Sequence, residues 1–169
     1  MIKRPSSIEQ LSNALRRSPV TALLGPRQCG KTTLARMFGQ NRVAAYFDLE
    51  SRPDQTRLQN PELALSGLKG TVILDEIQSM PELFNVLRVL VDRPKNRNRF
   101  LILGSASPEL MKKASETLAG RIEFVELTGF TLAEIKSKDE QKLWLRGGFP
   151  RSFLASSDAD SVSWREGFI

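Results

Sequence analysis

Residues 20–32 read Val20-Thr21-Ala22-Leu23-Leu24-Gly25-Pro26-Arg27-Gln28-Cys29-Gly30-Lys31-Thr32. The first five form a short apolar run closed by glycine, which predicts a buried strand. The next eight match G-x-x-x-x-G-K-[ST] at each fixed position. A strand, a glycine-bearing loop and a helix in that order let the backbone curl, so that its N–H groups face inward where the helix N-terminus gathers positive potential. The stretch therefore predicts a phosphate cradle built from Gly25, Pro26, Arg27, Gln28, Cys29, Gly30, Lys31, Thr32 and Thr33. Lys31 is expected to reach the β- and γ-phosphates of ATP, and Thr32 to ligate Mg2+. Arg27 and Gln28 have no side-chain role that the residues define. Cys29 has two readings: a small side chain that fits the loop, or a thiol made reactive by the helix N-terminus and Lys31, which nucleotide would protect. The alternative for the whole loop is a glycine-rich turn carrying a surface lysine.

Working outward, Ser6-x-x-Glu9 and Ser7-x-x-Gln10 both read as capping boxes for a helix that Ser18-Pro19 stops. After the loop a helix runs from Lys31 to about Gly39, then a strand through Val43–Leu49. Residues 51–68 read as irregular or weakly helical. Thr71–Asp75 is a third strand, and Ser79-x-x-Glu82 reads as the cap of a helix carrying Leu83, Phe84, Val86, Leu87, Leu90 and Val91. Phe100–Leu103 is a fourth strand, Ser107-Pro108 starts a helix that Gly120 ends, and Ile122–Leu127 is a fifth strand. The strands are apolar throughout rather than alternating, as in a parallel sheet covered by helices on both faces. The fold class is α/β, with residues 1–127 as the core and 128–169 as a helical extension. That extension, broken by Gly147-Gly148 and Pro150, ends on Phe168-Ile169. Two large apolar residues there point to an architecture that continues; a last helix docked on the sheet is the alternative.

The third strand ends in Asp75-Glu76, the Walker B pattern. Asp75 is expected to hold Mg2+ directly or through water, and Glu76 to polarise the attacking water. Two solvated acids at a strand end are the plainer alternative. Ser105, after the fourth strand, is the candidate to sense the γ-phosphate, because Ser107 competes as a helix cap. Arg121 could reach a neighbouring copy's site as an arginine finger in a ring or dimer. Otherwise it is a solvated or salt-bridged edge arginine.

Composition narrows the chemistry. The chain has 169 residues, no histidine and one cysteine, which excludes Ser-His-Asp and Cys-His catalysis and a disulfide framework. No apolar run nears the roughly 18 residues of a membrane span, and the N-terminus lacks a secretory signal, so a cytoplasmic chain without a membrane partner is expected. The net charge is +6, and residues 1–50 carry eight basic against three acidic side chains. That basic third suits a polyanion, either nucleotide phosphates or a nucleic acid.

Five blocks occur in order: Gly25–Thr32, Tyr46-Phe47-Asp48-Leu49-Glu50, Ile73–Gln78, Gly104-Ser105-Ala106-Ser107-Pro108-Glu109-Leu110 and Leu118-Ala119-Gly120-Arg121. Leu143–Pro150 follows. Together they resemble the bacterial and archaeal AAA+-type P-loop ATPases with a Gly-Pro-Arg-Gln-x-Gly-Lys-Thr-Thr loop and an uncharacterised C-terminal domain. The resemblance implies a five-stranded parallel sheet of order 5-1-4-3-2 in a three-layer sandwich, a catalytic Glu76 and a sensor at Ser105. It also implies that Gly147-Gly148-Phe149-Pro150 opens the way to a further domain, and that residues 128–169 hold no complete lid. Four functions compete: Mg-dependent ATP hydrolysis, a nucleotide-binding module with little turnover, a small-molecule kinase, and a DNA-associated protein using Lys3-Arg4, Arg16-Arg17 and Arg93-x-Lys95-x-Arg97-x-Arg99. A solvated basic surface is the plainer account of those clusters. An unknown protein partner completes the expectations.

Overall fold

In the computed structural model, residues 2–39, 44–94 and 97–168 are described. Val43 and Lys95, on which two of the expectations above fall, and Ile169 lie outside them. In chain order the core elements are α1 (Pro5–Arg17), β1 (Val20–Leu24), α2 (Lys31–Gly39), β2 (Ala44–Asp48), α3 (Arg52–Arg57), α4 (Pro61–Ser66) and β3 (Thr71–Asp75). They continue with α5 (Leu83–Val91), β4 (Arg99–Gly104), α6 (Pro108–Thr117) and β5 (Ile122–Glu126). The extension adds α7 (Glu140–Arg146), α8 (Pro150–Phe153) and α9 (Asp158–Glu166).

The five strands form one parallel sheet of order β2-β3-β4-β1-β5, as the strand pattern and the resemblance imply. Strand side chains alternate between two cores. On one face Val20, Ala22, Leu24, Val72, Leu74, Phe100 and Ile102 meet α4, α5 and α6. On the other, Leu23, Ile73, Leu101, Leu103 and Val125 meet α1 and α2. The helices therefore cover both faces of the sheet. Leu83, Phe84 and Leu87 of α5 are fully buried, each worth about 2 kcal/mol by area removed from water.

The helix starts differ from the sequence expectation. α1 begins at Pro5 with Arg4 as N-cap and no side-chain capping bond. Proline's fixed φ supplies the first turn, so Ser6 lies inside the helix and Ser7 Oγ turns to Glu134 at 3.5 Å. Ser79 does not cap α5. Glu76 adopts a left-handed conformation (φ 57°), and a 3₁₀ turn over Ile77–Ser79 follows it, so α5 starts at Leu83 after Glu82. Residues 51–68, read as irregular or weakly helical, hold two short helices, the second capped by Asn60. Ser107 does cap α6, accepting from the Leu110 N–H at 3.3 Å.

The extension folds back onto the loop side of the sheet. The Phe130 N–H donates to Gly148 O at 2.6 Å, and Phe149 packs against the α1–α2 core. Arg4 locks this arrangement from the chain start. Only 6% exposed, it donates to Cys29 O (3.3 Å), Thr128 O (3.1 Å) and Gly129 O (3.2 Å), and to Glu134 Oε1 at 2.6 Å.

Candidate functional site

β1 lies between β4 and β5, while the chain's next strand, β2, sits at the far edge beyond β3. The strand connections change direction between β1 and β4, which leaves a crevice at the carboxyl ends of those two strands, where open parallel sheets hold their ligands. The loop of residues 25–30 fills it. At Gly25 a Cβ would run into the carbonyl oxygen of Leu127, so no other residue fits that close approach. Gln28 (φ 61°) and Gly30 (φ 100°) take left-handed conformations that turn the chain over the helix start. Lys31 is 6% exposed, and its Nζ donates to Gly25 O and Pro26 O, both at 2.9 Å. The ammonium therefore stands in the centre of the loop. Thr32 and Thr33 follow on the first turn of α2.

Of the two readings of Cys29, burial favours the small side chain that fits the loop. Its side chain is 0% exposed, and burial pushes the thiol up despite the opposing pull of Lys31. A protonated, shielded thiol is not a reactive one. It is the small side chain that fits under the loop.

Asp75 is the hub of the site. It is 3% exposed; its Oδ2 accepts from Thr32 Oγ1 at 2.7 Å and from Tyr46 OH at 2.6 Å, and its Oδ1 accepts from the Glu76 N–H at 3.0 Å. Burial, then the neighbouring Asp75, hold the Tyr46 phenol above its usual range, so it stays a donor. The Arg36 guanidinium lies 5.2 Å from the centre of the Tyr46 ring. Glu76 is placed by its left-handed backbone, and its carboxylate accepts from the Gln78 amide. Such a conformation in a non-glycine residue costs about 1–2 kcal/mol and is found where a site over-determines the backbone. Ser105 is half-buried just past β4, its carbonyl accepting from the Ser107 N–H at 2.8 Å.

The structure thus brings Gly25–Thr33, Asp75 and Glu76 to one edge of the sheet, with Ser105 at the end of β4 on the same edge. Thr32 and Asp75 offer oxygen donors suited to a hard cation such as Mg2+. Among the described residues there is no cluster of three or more His, Cys, Asp or Glu, so a cation here would share its shell with phosphate and water. A cavity of about 160 Å³ opens beside Gly30, between Ile2, Thr33, Met37, Phe130 and Pro150.

Arg121 is not brought to this edge. It precedes β5, whose Ile122 pairs with Val20 at the amino end of β1, roughly 16 Å of strand from the loop. Its guanidinium forks onto Asp92 at 2.7 and 2.9 Å and donates to Ala119 O. That bond, with the charge of Arg121, holds the Asp92 carboxyl below its ordinary range. The basic clusters separate as well. Arg4 is buried at the loop side, while Arg17 pairs with Glu123, Arg93 with Glu62, and Arg99 donates to Leu15 O at 2.9 Å. Tyr46 and the Arg4–Glu134 pair carry no local sequence signal for these contacts; only Tyr46's place in a block of the resemblance hinted at its importance.

Comparison with known proteins accords with this geometry. Residues 17–136 match the model of a family described as AAA domain. The whole chain is 54% identical to uncharacterised proteins of Mycobacterium tuberculosis and Mycobacterium bovis, and it spans 38% of their length. A Walker-type ATPase of Pyrococcus abyssi superposes with a TM-score of 0.69 at 17% identity, over 99% of this chain and 69% of that one. AMPPCP-bound DnaA of Aquifex aeolicus superposes at 0.60 and 12% identity, over 99% and 67%. These two structures share the fold. No helix among the described residues is long and apolar enough to cross a membrane. With the family model matching most of its length and this sheet beneath it, the chain belongs to the AAA domain family of AAA+-type P-loop ATPases.

Proposed function

We propose that the chain binds ATP with Mg2+ at residues 25–33 and hydrolyses it. One observation carries the reading: Thr32 Oγ1 lies 2.7 Å from Asp75 Oδ2, joining two motifs 43 residues apart, beside a buried Lys31. The loop N–H groups and Lys31 receive the β- and γ-phosphates, Lys31 exchanging its carbonyl partners for phosphate oxygens. Thr32 and Asp75 hold the cation, which when bound neutralises charge developing on the phosphates. Glu76 orients and deprotonates the attacking water, and Ser105 reads the γ-phosphate. The cavity between Ile2, Thr33, Met37, Phe130 and Pro150 receives the base.

Residues 1–127 serve as the ATPase core, and 128–169 as the start of a lid or further domain. Arg121 acts only in a neighbouring copy, once released from Asp92; that is the reading for a homo-oligomer. What hydrolysis drives, in the cytoplasm and on which protein partner, belongs to the longer protein represented by the relatives. A second reading, a module that binds nucleotide with little turnover, draws on the Glu76 carboxylate already engaged by Gln78. A DNA-associated ATPase draws on Arg16 and Arg97, exposed at the edge opposite the loop; affinity for duplex DNA falling steeply with salt would favour it.

Turnover measured beside nucleotide binding tests the main reading. Glu76→Gln is expected to keep binding and lose about 100-fold or more in rate, the range of a removed general base, and Lys31→Ala to lose binding. Turnover unchanged by Glu76→Gln would favour the binding module.

A further inference from the structure

The Asp75 carboxylate is held on both oxygens, and one of its donors comes from outside the motifs. Strand parity explains how. In the β2–β3 register Tyr46 lies opposite Ile73. Ile73 faces the core under α1 and α2, Tyr46 packs against the same core, and Asp75, two residues after Ile73, faces the same way. The Tyr46 ring can therefore run along the sheet surface until its hydroxyl meets Asp75 Oδ2 at 2.6 Å. From above, α2 contributes twice. Thr32 and Arg36 stand four residues apart on one helix face: Thr32 reaches Oδ2 at 2.7 Å, and Arg36 covers the Tyr46 ring at 5.2 Å. Thr32, Asp75, Tyr46 and Arg36 thus close a ring of contacts joining α2, β2 and β3.

We propose that Tyr46 is the positioning residue of the cation site: its hydroxyl, with its ring covered by Arg36, fixes the Asp75 carboxylate in the orientation that captures Mg2+ beside Thr32. The proposal rests on the nucleotide-site reading above. Two donors on Oδ2 and a backbone N–H on Oδ1 leave the carboxylate one orientation, so no ordering cost falls on the binding step. Without the phenol, Oδ2 keeps only Thr32, the group that must itself turn a lone pair to the cation. Outer partners of this kind typically govern about 10–100-fold of metal affinity. Tyr46→Phe keeps the ring, its packing and the place of Arg36 over the ring face, and removes the hydroxyl with its bonds to Asp75 and Arg36.

The experiment titrates the whole chain with ADP by calorimetry, in EDTA and across a series of Mg2+ concentrations. Tyr46→Phe is expected to raise the half-saturating Mg2+ about tenfold, while affinity for ADP in EDTA and the thermal midpoint stay as in the unaltered chain. Arg36→Gln should shift Mg2+ dependence in the same direction by a smaller factor, and it provides an independent reading if Tyr46→Phe folds poorly. Identical Mg2+ curves for Tyr46→Phe and the unaltered chain overturn the proposal and leave the nucleotide site standing. Equal losses with and without Mg2+ overturn it too, since they mark general damage. An unaltered chain that binds no ADP under either condition overturns the nucleotide reading and this proposal together.

Discussion

A thiol beside a helix N-terminus and two residues from a lysine stands where a low pKa is expected. At Cys29 burial wins, because the side chain points under the loop rather than along it and is cut off from water. Iodoacetamide labelling of the native chain should therefore be slow, at least about tenfold slower than in urea. ATP should not change the native rate. Fast native labelling suppressed by ATP, read by mass spectrometry, would restore the reactive thiol. Lys31 illustrates the same dependence on surroundings: its ammonium donates to the carbonyls of Gly25 and Pro26. In the proposed nucleotide complex, phosphate oxygens take the place of these neutral acceptors and form the stronger, charge-assisted hydrogen bonds.

At the scale of elements, the loop is held open by what passes behind it. Leu127, just past β5, approaches so closely that Gly25→Ala must move either the loop or the strand end. We expect a loss of about 1–3 kcal/mol, the usual range for overpacking, measured as a lower urea midpoint, together with weaker nucleotide binding; an unchanged midpoint would mean that the Leu127 carbonyl can yield. β1, β3, β4, α2 and the two motifs were legible in sequence because their signals are local: apolar runs, a glycine spacing, acids at a strand end. Helix starts were less so. Two serine boxes point to α1, but Pro5 fixes the first turn and moves the cap from Ser6 to Arg4, two residues earlier. Another box pointed to Ser79, yet the left-handed Glu76 inserts a 3₁₀ turn before α5. Tyr46 read as part of an ordinary strand and Arg4 as part of a basic cluster, because both act through partners distant in sequence, Asp75 and Glu134. No local pattern encodes such a pairing.

For the molecule as a whole, the Arg4–Glu134 pair joins the chain start, the back of the phosphate loop and the extension. Both side chains are almost fully buried. Burial alone would raise the Glu134 pKa; the hydrogen bonds from Arg4 and Thr131 outweigh it, and the carboxyl sits below its ordinary range. A folded-state pKa below the unfolded one means the pair stabilises fully above the unfolded value of about 4.3. That contribution fades as pH falls from there through the lowered folded value. Glu134→Gln strands a buried guanidinium and should cost about 3 kcal/mol, a fall of roughly 6–12 °C in Tm for a chain of this size. Its Tm should also fall less steeply than that of the unaltered chain on acidification. Removing both charges differs from removing one, because well-packed apolar side chains can replace a buried pair at little net cost. Arg4→Met with Glu134→Leu is therefore expected to be more stable than Glu134→Gln. The double variant should nonetheless bind nucleotide more weakly than the unaltered chain, since Arg4 also donates to Cys29 O behind the loop. Calorimetry can measure both properties; a double variant no more stable than Glu134→Gln would show that Arg4's carbonyl contacts, rather than its charge pairing, hold the extension in place.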